Sequence, residues 1–141
     1  MLTRSHIPAL CSVFALLFGG CDQRKTAEAQ FVGSWHSSAC IDCTFDLTFF
    51  PDHTFISSGE SLGRYWINGV GKWYLDYKRI FLRRKDADEH ALIILKVADV
   101  TPDELKISHG DWVETYKRVK TMTREEIQNM AEKPVEYSAT P

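Results

Sequence analysis

The sequence predicts an all-β fold, a small antiparallel up-and-down β-barrel of about eight strands followed by a short C-terminal helix. Three observations predict it. From Phe31 onward, short apolar segments recur at roughly 8–12-residue spacing. Turn chemistry separates them, as in Pro51-Asp52-His53, Asp76-Tyr77-Lys78, Thr101-Pro102-Asp103-Glu104 and His109-Gly110-Asp111. Where the pattern is clearest, Phe45, Leu47 and Phe49 alternate with Asp46 and Thr48, so one face points to a core and the other to water.

In chain order, strands are expected at 31–37, 44–50, 53–58, 64–68, 71–75, 79–84, 90–98, 104–108 and 112–119. Gly69 and Gly71 are placed to bend one long strand out of the fourth and fifth of these, which brings the count to a closed meander. Ala91-Leu92-Ile93-Ile94-Leu95 is apolar on both faces, so something should cover its outer side. The candidate is a helix opening at Thr123-Arg124-Glu125-Glu126, a capping box with Met122 and Ile127 as its hydrophobic staple. Ile127, Met130 and Ala131 form its apolar stripe, and Pro134 stops it soon after Glu132.

At the other terminus Arg4 precedes an uncharged run from Ser5 to Gly20, and the run ends Leu17-Phe18-Gly19-Gly20-Cys21. Its last four residues resemble a bacterial lipobox. The resemblance implies cleavage before Cys21, lipidation of that thiol with palmitate among the acyl chains, and attachment to an envelope membrane, facing the periplasm. An uncleaved anchor or ordinary secretion is the alternative, but the run is shorter than the roughly 20 apolar residues a spanning helix needs. Asp22 resembles an inner-membrane retention signal. The chain thus divides into a signal peptide (1–20), a polar tether (21–30), a barrel domain with its helix (31–133) and a frayed tail (134–141).

Removing the signal leaves about 120 residues, enough for one domain and one core. Lys and Arg number 17 against 19 Asp and Glu, so the net charge of −2 gives no electrostatic reason to expect nucleic acid. No nucleophile elbow, H-E-x-x-H, phosphate loop or paired-carboxylate motif is present, so the expectation is a non-enzyme without a cofactor.

Of the four cysteines, Cys11 lies in the signal segment and Cys21 is the lipid site, leaving Cys40 and Cys43 as C-I-D-C. In an oxidising compartment that pair is most simply a local disulfide. A metal site is the sharper alternative, because His36, Cys40, Cys43 and His53 are all soft or borderline ligands. A strand over 44–50 would span about 23 Å at roughly 3.3 Å per residue, which puts Cys43 and His53 at opposite ends. At most His36 joins the cysteines, an incomplete set suited to Cu(I) or to a second chain. Thiol-disulfide catalysis fits poorly, since a strand follows Cys43 where a thiol-activating helix N-terminus would be needed. The basic run Lys78-Arg79 and Arg83-Arg84-Lys85 could touch lipid headgroups, but Asp86, Asp88 and Glu89 follow it, which favours a solvated hairpin end.

Phe31-Val32-Gly33-Ser34-Trp35 at the first strand and Tyr116-Lys117-Arg118-Val119 at the last resemble the lipocalin pattern of a Gly-x-Trp at the barrel base. That resemblance implies that Arg118 lies across the Trp35 ring as a cation-π contact closing one end. Gly71-Lys72-Trp73-Tyr74-Leu75 with Ile80-Phe81-Leu82 is similar to the middle of small bacterial lipocalin-like domains. Cys40-Ile41-Asp42-Cys43 resembles the C-A-D-C region of the NlpE family, envelope lipoproteins linked to copper resistance and surface sensing. Ser58-Gly59-Glu60-Ser61 with Arg64-Tyr65 is faintly similar to a loop of periplasmic lysozyme inhibitors. The expectation is a membrane-anchored lipocalin-like domain that binds a small hydrophobic ligand or an envelope protein partner. The alternatives are a copper- or redox-responsive module using Cys40 and Cys43, and an inhibitor or immunity protein against an envelope-acting toxin.

Overall fold

The computed structural model describes residues 19–85 and 91–133. The signal segment through Phe18, the acidic stretch 86–90 with its expected solvated end, and the tail from Pro134 lie outside the described residues. Eight strands follow one another around a closed barrel: β1 (Gly33–Cys40), β2 (Cys43–Phe49), β3 (Thr54–Ser61), β4 (Arg64–Asp76), β5 (Arg79–Arg84), β6 (Leu92–Val100), β7 (Glu104–His109) and β8 (Trp112–Val119). Every neighbour is antiparallel, and β8 returns to β1 with Arg118 opposite Trp35. Closure gives every strand a neighbour on both sides, although β1 and β8 pair only over Ser34–His36 and Lys117–Val119.

The segments 64–68 and 71–75 are one strand, β4. Its Gly71 lies opposite Phe55, where a Cβ would collide with the carbonyl of Arg83, so only glycine lets β4 pass this close to β5. Along β4 a bulge between Ile67 and Gly69 shifts the inward face from even positions to odd. Inside, Trp35, Phe49, Phe55, Trp73, Ile80 and Leu105 are buried to 2% exposure or less. At about 25 cal/mol per Å² of apolar surface removed from water, this aromatic stack is the main stabilising term.

Among the described residues, two helices flank the barrel. α2 (Arg124–Glu132) has the expected capping box, with Thr123 Oγ1 accepting from the Glu126 amide at 3.1 Å and Glu126 Oε2 accepting from the Thr123 amide at 2.7 Å. It does not cover the β6 segment, as the sequence reading expected. Ile127, fully buried, packs instead with Phe50 and Ile56 and against Tyr65, Ile67, Val70, Met122 and Met130, on the outer face of the sheet around β4. The connection explains the choice. β8 delivers the chain beside β1, the Met122 amide donates to Ser34 Oγ at 2.9 Å, and small outward residues there (Ser34, Thr48) leave room for a helix. Leu92 and Ile94 therefore remain exposed on the outside of β6.

α1 (Gly19–Ala29) occupies the stretch that composition assigns to the tether. No proline or glycine interrupts residues 21–29, Arg24 and Glu28 pair at 3.4 Å one turn apart, Ala27 packs on the core and Arg24 donates to the carbonyl of Leu75. One apolar contact and one ion pair are too sparse a pattern to register as amphipathic periodicity. α1 lies at the barrel end formed by the turns at 50–53, 77–78 and 101–103, here called the base; the turns at 41–42, 62–63 and 110–111 form the opposite end, the mouth.

Candidate functional site

The base is built around Trp35. Its Nε1 donates to the Phe31 carbonyl at 2.8 Å, and the guanidinium of Arg118 lies over its ring with Cζ 4.1 Å from the centroid. Arg118 also donates to the carbonyls of Val32 at 2.8 Å and Gln30 at 2.6 Å, and to that of Pro102. Gly33 is part of the same device. Its φ of 130° is a glycine conformation, and a Cβ there would stand 2.7 Å from Arg118 Nη1. His53, in the base turn, sets its ring 5.5 Å from that of Trp73, and all of β2 separates it from Cys43.

The mouth is different in kind. Glu114 points inward from β8 and is buried, accepting from Ser37 Oγ at 2.8 Å and facing His109 Nε2 at 3.1 Å. His109 stacks on Trp112 with centroids 4.3 Å apart. Below them Tyr116 has its phenol pushed well above the ordinary value, first by burial and then by the charge of Glu114. The order of the three polar groups matters chemically. A Ser–His catalytic pair would set the imidazole beside the hydroxyl, whereas here the carboxylate stands between Ser37 and His109.

Register identifies what surrounds this network. Phe45 is the Cα partner of buried Ser37, Ile93 of buried Leu82, and Trp112 of His109, so all three belong to inward-facing rows. Yet they are 38%, 42% and 53% exposed. Inward positions that stay exposed line an opening. At its rim, Ile41 and Leu62 stand almost wholly in water at the tips of neighbouring turns.

Cys40 and Cys43 are Cα partners at the end of the β1–β2 hairpin, on the rim of the mouth. His36 faces outward and bonds Asp46 through Nδ1 at 2.7 Å. Among the described residues no group of three His, Cys, Asp or Glu is placed to hold a metal ion. Cys21 belongs to the first turns of α1, at the base side of the molecule. The residues that sequence reasoning did not single out are Ser37, His109 and Glu114. Only Glu114 left a signal: it shares with Trp112, Tyr116 and Arg118 the parity of the inward face, where an acid is out of place.

No family model, curated protein or solved structure matches the chain.

Proposed function

We propose that this chain is a lipid-anchored envelope protein, not an enzyme, whose barrel binds a small hydrophobic molecule at its mouth. The observation that carries the binding reading is the set of inward-facing yet exposed side chains, Phe45, Ile93 and Trp112, above the buried Glu114 network. Concave, mostly apolar surface with a few convergent polar groups is what a ligand of low polarity covers. Glu114, already accepting from Ser37, provides the polar reference point that would orient a hydroxyl on such a ligand.

The anchor reading rests on the lipobox-like residues ending at Cys21. Since α1 lies at the base, a lipid on Cys21 would hold the base towards the bilayer and turn the mouth to the periplasm, with the inner membrane favoured by Asp22. A Cys40–Cys43 disulfide is part of the same reading, supported by their pairing across a two-residue turn in a compartment that oxidises thiols. A protein partner on the mouth is the second reading, favoured by the exposed tips Ile41 and Leu62.

Solvent extraction and mass spectrometry of protein purified from envelopes should recover a low-polarity molecule at about one per chain, and the neutral probe N-phenyl-naphthylamine should bind saturably. Phe45→Ser/Trp112→Ser should weaken the probe by at least about tenfold, a loss of about 1.4 kcal/mol. Empty protein that ignores the probe would refute ligand binding. If the rim serves a protein partner, Ile41→Asp/Leu62→Asp should abolish its co-purification.

A further inference from the structure

On the outside of the barrel, away from the mouth, an open groove of about 660 Å³ crosses β3, β4 and β5. It is lined by Ile56 and Val70 and by Lys72, Arg83, Arg84, Lys85 and Arg124, and among the described residues no carboxylate lines it. Lys72 and Arg83 are direct Cα partners on neighbouring strands. Like charges so placed repel, a local cost that the barrel itself does not require. Among the described residues, no carboxylate pairs with Lys72, Arg83 or Lys85. Arg124 is held in place at the rim: it bonds Asp52 at 2.6 Å, contacts the Thr54 hydroxyl, and lies over the Phe50 ring with Cζ 4.2 Å from the centroid.

We propose that this groove binds a phosphoryl group carried on a partly apolar molecule. Arg83 and Arg124 offer forked donors that match phosphate oxygens, the lysines add point charge, and a bound dianion would relieve the Lys72–Arg83 repulsion. The volume exceeds what a bare phosphate fills, and Ile56 and Val70 offer the remainder an apolar seat. Lipid headgroups and soluble phosphate esters share this chemistry. The groove begins at Thr54, next to the base turn and so on the side nearer the bilayer if Cys21 carries lipid, but the proposal does not depend on that anchor or on the mouth.

The test uses the purified full chain, titrated by calorimetry with dihexanoyl phosphatidate, glycerol 3-phosphate, inorganic phosphate and dihexanoylglycerol. Phosphatidate should bind, and Lys72→Gln/Arg83→Gln should weaken it by at least about tenfold. Arg79→Gln/Lys96→Gln, an opposed cationic pair on β5 and β6 outside the groove, should change it less than about twofold. A preference for phosphatidate over the two soluble phosphates supports a lipid headgroup; equal binding of all three supports a soluble ester. Failure of every phosphate probe, binding of dihexanoylglycerol as tight as that of phosphatidate, or equal loss in the control pair would overturn the proposal. A circular-dichroism spectrum and melting temperature close to those of the unaltered chain report that Lys72→Gln/Arg83→Gln is folded.

Discussion

Arg118 ties the chain entering β1, through Gln30 and Val32, to the β6–β7 turn, through Pro102, while covering Trp35. Trp35→Ala should therefore destabilise by about 3–5 kcal/mol as a large core truncation. Arg118→Ala should cost about 1–2 kcal/mol from lost packing and cation-π contact, and urea denaturation of the double variant should show less than the sum. Strictly additive losses would mean that the contact contributes nothing. Tyr116 supplies a pH signature. Its phenol is raised in the fold, so its contribution is complete below the unfolded value of about 10 and is lost as pH rises further. Stability followed from about pH 8 to 11 should fall on the alkaline side, and Tyr116→Phe should flatten that fall. Trp35 and Arg118 were legible because a short motif and strand parity locate them. Ser37 and His109 were not, since their meeting at Glu114 depends on β8 closing onto β1 and on which strand ends share the mouth.

Among the elements, α2 concentrates its docking in one side chain. Ile127→Ala should cost about 2–4 kcal/mol and speed amide exchange at Ser34, whose hydroxyl accepts from the Met122 amide just before the helix. Thr123→Ala, which removes the N-cap, should cost about 1 kcal/mol with a smaller effect on exchange. Unchanged exchange at Ser34 in both variants would show that the helix does not depend on these contacts. Capping residues made α2 visible in sequence because they act within four positions of each other. What the helix covers was not visible: its partners Phe50, Ile56 and Val70 are distant in the chain, and only the exit of β8 beside β1 selects them over the apolar outer face of β6. α1 was missed for a related reason, since its hold on the base is one alanine and a few polar contacts. Strand positions were legible nearly throughout, turn residues and alternation being local signals, and β4 needed only its glycines read as a bend.

At the scale of the whole molecule, the barrel has two unlike ends, a base packed with Trp35 and Trp73 and a mouth where Trp66 and Trp112 stand in inward rows with more exposure. That asymmetry gives the chain's four tryptophans distinct roles as reporters. The decisive measurement is fluorescence quenching by a nitroxide-labelled fatty acid in variants that retain either the mouth pair (Trp35→Phe/Trp73→Phe) or the base pair (Trp66→Phe/Trp112→Phe), each first shown to be folded. Hydrophobic binding at the mouth predicts saturable quenching of Trp66 and Trp112 with Trp35 and Trp73 unaffected; no quenching at all, or quenching confined to the base pair, would contradict it.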